Sequence, residues 1–356
     1  MKITGVSTRT RRARLRMPFV TALRTVTEVV AVDALVTTDD GLTGVGEAVA
    51  TPVITGDLHG GIIAALEGPL RQAVVGLDLD DFEDLLRRVQ RSVVGNTSAK
   101  AALDIALHDL RSRATGVALH RMLGAGPAAP RTDVTISVDS PAAMAEQAVL
   151  RVAEGFGTLK LKVAVDPATD IERVRRVRDT VGPEPRLRLD ANQGWTPKEA
   201  VAIVTALERA EVDLELVEQP VAAHDLTGLA FVTARVATAV MADESVASPR
   251  DALEVVGRGA ADLINVKLMK AGGLRPARQI LDIAAAAGIG TMIGGMMATG
   301  LGVAADAALA ATLPTEVVHD LDPAWWLAES DGLVRYDRDR VLLRDQPGLT
   351  DRGWLQ

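Results

Sequence analysis

The segments VTISV (134–138), TLKLKV (158–163), RLRLDAN (186–192) and LELVEQP (214–220) decide the fold, together with VMADES (240–245), DLINVKL (262–268), GTMIGG (290–295) and EVVHDLD (316–322). Each is short and rich in β-branched or aliphatic residues, and their starts fall 22 to 28 residues apart. Helical patterns such as AAMAEQAVLRVAEG and DIERVRRVRDTVG fill the intervals. Eight strand–helix units joined by right-handed crossovers predict a (β/α)8-type barrel. A doubly wound open sheet is the alternative, since strand–helix alternation fits it as well.

Outward from the barrel the texture changes on both sides. The first 125 residues lack a regular period. MKITGVSTRT and VTEVVAVDALVTTDDGLTGVGEAVA read as strands with a DDG turn in the second, and helical patterns follow at LHGGIIAALEGPLRQAVVG, DLDDFEDLLRRVQRSV and SAKAALDIALHDLRSRATG. We therefore expect an α+β domain over 1–125 and the barrel over 126–322. The tail, 323–356, is too irregular for a barrel element and is expected to return to the first domain.

Composition narrows the function. Of 356 residues 48% are apolar, enough for a large core, and there is no cysteine to serve as a disulfide, thiolate ligand or nucleophile. A net charge of −8 gives no reason to expect nucleic-acid binding. The first twenty residues carry many arginines and no apolar h-region, so a cytoplasmic protein is expected. Residues 283–305 are free of charge and long enough to cross a bilayer, but their six glycines favour a helix end, a buried strand and a second helix over a membrane span. Only seven of the 39 basic residues are lysine, at positions 2, 100, 160, 162, 198, 267 and 270. Arginine keeps its proton in proteins whereas a desolvated lysine can release it, so lysines on apolar strands are candidate bases.

Active sites of such barrels lie at the carboxyl ends of the strands. Lys160 and Lys162 share one face of the second strand. Asp190, Glu218 and Asp243 close the third, fourth and fifth strands, Lys267 ends the sixth, and Asp320 and Asp322 end the eighth. Taken singly, a carboxylate at a strand end is most simply a helix cap. Charges inside an apolar strand need compensation, and a plain ion network is one solution. The arrangement favours chemistry: three carboxylates on consecutive strands make an all-oxygen set suited to Mg²⁺. Strands two and six are opposite in a ring of eight, so Lys162 and Lys267 face each other across the mouth. A substrate carboxylate held by the metal then places its α-carbon between two amines, and the metal stabilises the enediolate left when the α-proton departs. Lys160 and the metal are expected to lower the pKa of each base. Two opposed bases imply racemisation or epimerisation. Asp320 and Asp322 suit a cation at the far end of the substrate, such as an ammonium, or else a helix-capping DxD before proline.

LKLK (159–162), LDANQGW (189–195), VEQP (217–220), ADES (242–245) and NVKLMKAGGL (265–274), with AALDIALHDL in the first domain, resemble the enolase superfamily in its muconate-lactonizing-enzyme-like subgroup. The resemblance covers nearly the whole chain. It implies a modified (β/α)7β barrel of TIM type under an α+β capping domain that includes the tail. It also implies Lys162 and Lys267 as acid/base catalysts and Asp190, Glu218 and Asp243 as Mg²⁺ ligands. HDLD (319–322) is similar to the DxD signature of dipeptide epimerases, in which it holds the substrate's α-ammonium. TALRTVTE (21–28) and TPVITGD (51–57) resemble the L-Ala-D/L-Glu epimerases. On that likeness Arg24 binds the glutamate side-chain carboxylate and Thr135 lines the same pocket, with Lys160 beside them. The implied enzyme is a cytoplasmic homo-oligomer acting on a small dipeptide in cell-wall peptide recycling, with no membrane or nucleic-acid partner.

One departure is Ala298 in GGMMATG (294–300), where many relatives carry Glu, and it is expected to alter the pocket for the second residue. The alternatives within the subgroup are N-succinylamino acid racemase, o-succinylbenzoate synthase and muconate cycloisomerase, whose substrates bring no ammonium to the eighth strand. Sugar-acid dehydratases are disfavoured because the seventh strand offers no histidine base, and His319 is expected to face away from the pocket. A catalytically silent barrel is the remaining alternative.

Overall fold

The computed structural model describes residues 1–126 and 129–355; residues 127 and 128 of the expected barrel and 356 of the tail lie outside the described residues. The chain opens with an antiparallel sheet in the order β1 (Ile3–Val20), β2 (Thr25–Thr38) and β3 (Thr43–Val49). The first strand is longer than its apolar pattern predicts, because it continues through the arginine-rich segment. There successive arginines find anions on opposite faces: Arg11 bonds Asp33 and Glu47, and Arg12 pairs with Glu28. Helix Thr97–Thr115 covers the sheet, and helix Phe82–Arg91 packs against it in turn.

The small residues of AALDIALHDL have a steric cause. Helix Thr97–Thr115 approaches β3 so closely that a Cβ on Gly46 would lie 2.1 Å from the carbonyl oxygen of Ala102. Ala101, Ala102 and Ala106 are all fully buried there. Any larger side chain on either face separates the two elements and exposes core.

Seven parallel strands form the curled barrel sheet in sequence order: Val134–Ile136, Thr158–Lys162, Arg186–Asp190, Leu214–Glu218, Ala239–Ala242, Leu263–Val266 and Gly290–Ile293. The eighth is shorter than its apolar run suggests. It is Val318–His319, paired in parallel with Arg131–Thr132, and it reaches the seventh strand through a parallel bridge between Gly294 and Asp320. Pairing with the seventh strand continues through Asp320, whose N–H meets the Ile293 carbonyl at 3.0 Å and whose carbonyl accepts the Gly295 N–H at 2.7 Å. Residues 283–305 resolve into a helix end, strand Gly290–Ile293 and helix Gly300–Ala310, and no described helix is long and apolar enough to cross a membrane.

The capping elements grip two of the loops that follow barrel strands. Beyond the sixth strand, Asp104 accepts the Leu274 N–H at 2.7 Å, and Gly273, at φ +120°, leaves no room for a side chain against Asp104. Beyond the seventh, fully buried Glu47 accepts the Thr299 N–H at 2.8 Å and Arg11 Nη2 at 2.7 Å. Burial pushes the Glu47 carboxyl up to about 7 against the pull of Arg11. The tail runs back along β1, with an antiparallel bridge between Leu15 and Leu327 and Arg9 stacked 4.2 Å from the Trp354 ring.

Thermal and urea unfolding of two glycine variants test the close approach. Gly46→Ala should destabilise by about 2–3 kcal/mol through overpacking. Gly257→Ala, in helix Pro249–Arg258 with nothing near its Cβ position, should stabilise by roughly 0.5–1 kcal/mol. Equal effects would refute the steric account.

Candidate active site

Register aligns the charges. Lys162 lies beside Asp190, and Asp190 beside Glu218, on neighbouring strands. Glu218 neighbours Met241, which puts Asp243 two residues on, at the same inward-facing parity. Lys162 Nζ donates to Asp190 Oδ2 at 2.5 Å, and Lys267 Nζ to Asp243 Oδ2 at 2.8 Å. Lys160 pairs with Asp320 and lies 3.6 Å from Glu218 Oε2. The three lysines are only 1%, 5% and 7% exposed in chain order, so each ammonium depends on its carboxylates rather than on water.

A closed cleft of about 40 Å³ lies above these pairs. Of the ten residues expected at the site, Arg24, Thr135, Lys160, Lys162 and Lys267 line it, with Asp320 and Asp322. Asp190, Glu218 and Asp243 lie in contact with the lysines rather than in the wall. Phe19, Thr21 and Leu23 lead the first capping loop to Arg24, and Ile54 comes from the second. Arg24 is the one cation of the cleft without an acidic partner among the described residues, and burial lowers its pKa. A larger cavity of about 380 Å³ lies behind Trp325, but none of the ten residues lines it.

The carboxylates set the electrostatics of the lysines. Burial alone would lower the Lys267 pKa, yet Asp243, Glu218 and Asp320 outweigh it and hold the ammonium well above its ordinary value. Lys160 is raised in the same way, by Asp320 and Glu218 against burial. The carboxylates divide: despite burial, Lys267 and Lys270 hold Asp243 far below the usual range, whereas burial and the neighbouring Asp190 push Glu218 up to about 7. Glu244 rises to about 8, through burial and then Asp243 and Asp190.

The residues fit a divalent cation by unused valence. Six carboxyl groups (Asp190, Glu218, Asp243, Glu244, Asp320 and Asp322) crowd around four lysines (160, 162, 267 and 270), and burial beside like charges pushes Glu218 and Glu244 up. Glu218 Oε2, Glu244 Oε2 and Asn192 Oδ1 are buried without a hydrogen bond. No three carboxylates already converge on one point among the described residues, and Asp190 and Asp243 are drawn instead to Lys162 and Lys267. Oxygen donors in this number are the hard set that Mg²⁺ prefers.

The aspartates after the eighth strand do not act as a helix cap. Asp322 precedes the 3₁₀ turn Pro323–Trp326 but makes no side-chain bond to its backbone N–H groups. Its Oδ2 instead accepts the Thr135 N–H at 2.7 Å and Trp326 Nε1 at 3.0 Å. His319 is absent from the cleft wall; its Nδ1 accepts the Ile293 N–H, and burial with Arg188 nearby lowers it to about 3, so it stays neutral. Ala298 is not in the cleft wall: its Cβ lies toward Gly302, and Gly295, Met296 and Met297 supply the wall from the seventh-strand loop.

Sequence reasoning assigned no role to Lys270, Asn265 or Trp326. Lys270 Nζ lies 2.5 Å from Asp243 Oδ1, and Asn265 donates to Glu218 Oε1 at 2.7 Å. Asn265 was legible, two residues before Lys267 and so on its face; Lys270 lies past the strand in the short helix Leu268–Ala271, where strand periodicity no longer applies.

Comparison with known proteins places this geometry. Residues 3–124 match the mandelate racemase / muconate lactonizing enzyme N-terminal domain, and residues 143–350 match the enolase C-terminal domain-like family. The L-Ala-D/L-Glu epimerase of Clostridium acetobutylicum is 43% identical over 95% of this chain and 95% of its own. A substrate-liganded L-Ala-D/L-Glu epimerase from Bacillus subtilis superposes with a TM-score of 0.95 at 43% identity, covering 98% of both chains. The dipeptide epimerase of Enterococcus faecalis, solved with Mg and L-Leu-L-Tyr, gives 0.93 at 39% identity, covering 98% of this chain and 99% of that one. With both of its halves matched and its lysines and carboxylates gathered in one barrel mouth, the chain belongs to the mandelate racemase and muconate lactonizing enzyme family of the enolase superfamily.

Proposed function

We propose that the protein is a magnesium-dependent dipeptide epimerase that inverts the α-carbon of the C-terminal residue, with L-Ala-D/L-Glu as its substrate pair. The observation that carries the reading is one cleft walled by two lysines from opposite strands, by an acidic pair and by an unpaired arginine. Lys162 and Lys267 are the acid/base catalysts: one takes the α-proton from one face and the other returns a proton to the opposite face. Asp190, Glu218 and Asp243 would hold the magnesium ion, which supplies positive charge beside the substrate carboxylate and eases loss of the α-proton.

The remaining residues orient the dipeptide. Asp320 and Asp322 take the ammonium of its first residue, which disfavours N-succinyl substrates because a succinyl carboxylate would meet two like charges. Arg24 meets the side-chain carboxylate of the second residue, and Lys160 and Thr135 line the path between. The loop Phe19–Arg24 lies over the lysines and excludes water from the exchanging proton. With this activity goes a homo-oligomeric cytoplasmic enzyme of cell-wall peptide recycling.

Proton NMR of L-Ala-L-Glu in D₂O with enzyme and Mg²⁺ tests the reaction. The Glu α-proton signal should vanish as a second diastereomer appears, and Lys162→Ala or Lys267→Ala should each slow epimerisation by about 10²–10⁴-fold. Exchange that survives in both variants would sink the two-base reading, and exchange confined to N-succinyl amino acids would sink the assignment of Asp320 and Asp322.

Arg24→Met should cost about 1.5–3 kcal/mol in kcat/KM for L-Ala-L-Glu, the worth of a hydrogen-bonded charge, and much less for L-Ala-L-Leu. Equal losses on both dipeptides would show that Arg24 does not read the side chain.

A further inference from the structure

The acidic pair after the eighth strand is not symmetric. Asp320 is joined to the Lys160 ammonium, so much of its charge is already answered. Asp322 has only neutral donors, the Thr135 N–H at 2.7 Å and the Trp326 indole N–H at 3.0 Å. Both donors converge on Oδ2, and among the described residues Oδ1 accepts no hydrogen bond while Asp322 lines the cleft. Two donors on one oxygen fix the plane of a carboxylate and present its other oxygen. Asp322 therefore keeps its charge in one direction, toward the cleft.

Trp326 is itself rigidly placed. It is 1% exposed, and its ring meets Phe19 edge-on at 5.1 Å and Trp325 at 5.5 Å. Phe19 ends β1, lines the cleft and lies 5.7 Å from the Lys162 ammonium. A buried indole N–H needs an acceptor, and an ordinary core tryptophan finds a carbonyl; this one is spent on a carboxylate that faces substrate. We propose that Trp326 is a positioning residue for substrate recognition: its indole N–H orients Asp322 toward the dipeptide's ammonium, and its ring ties that carboxylate to the capping strand leading to Arg24. The inference rests on the reading of Asp322 as an ammonium ligand and adds which of the two aspartates dominates and what holds it.

Trp326→Phe keeps an aromatic ring and removes the donor. KM for L-Ala-L-Glu should rise about tenfold, the loss of one hydrogen bond to a charged group, with kcat within about twofold. The preference for L-Ala-L-Glu over N-acetyl-L-Ala-L-Glu should shrink by the same factor. A merely packing role would lower thermal stability and kcat together and leave that preference unchanged, which would overturn the proposal. Should the phenylalanine variant fold poorly, benzothienylalanine at position 326 keeps the bicyclic shape without the N–H, and the same shift in preference is expected. Asp322→Asn measured in parallel separates the two readings. If it leaves the preference for a free ammonium intact, the ammonium role of Asp322 falls, and Trp326 with it. If it abolishes the preference while both position-326 variants keep it, the role of Trp326 alone falls.

Discussion

Charge compensation away from water is the constraint that organises this molecule. Ammonium groups and carboxylates lie nearly sealed in the mouth of one barrel, and none would stay ionised there alone. Parallel pairing supplies the partners, because the register at the ends of the second, third and fourth strands sets Lys162, Asp190 and Glu218 side by side. Below them the same rule operates again: Arg188 is buried between Asp133 at 2.9 Å and Glu215 at 2.5 Å. The barrel interior thus stacks two layers of ion pairs, with Leu216, Met241 and Met292 packed among them. The upper layer faces the cleft.

That layer is completed by distant parts of the chain. The first capping loop brings the unpaired arginine, the barrel brings the lysines and carboxylates, and the tail brings Trp326 behind Asp322. The clamps at Asp104 and Glu47 bind capping elements to the loops beyond the sixth and seventh strands, which carry Lys267 and the two wall methionines. A displacement of the cap therefore reaches both the acid/base group and the pocket wall. Recognition and chemistry share one mechanical frame.

The fold was legible because strand–helix alternation has a period that few other architectures produce, and because charged residues inside apolar strands stand out against it. Lys160, Lys162, Asp190 and Lys267 could be placed by parity alone. What escaped the sequence has local causes. Register slips between Leu187 and Arg188 against the fourth strand, so Glu215 is an extra residue whose inward contact strand parity does not foretell. Trp326 sits in an irregular tail where no periodicity assigns a face.

The distribution of lysine has a practical side. Four of the seven are enclosed around the cleft, Lys100 is buried under the cap, and only Lys2 and Lys198 reach solvent. The rest of the outer positive charge is on guanidinium groups, which do not acylate or form imines under mild conditions. Dyes, surface supports and cross-linkers that target primary amines therefore meet two exposed lysine side chains and a chain terminus paired with Asp78. The protein offers few and well-defined attachment points, all of them remote in sequence from the amines that carry its acid–base chemistry.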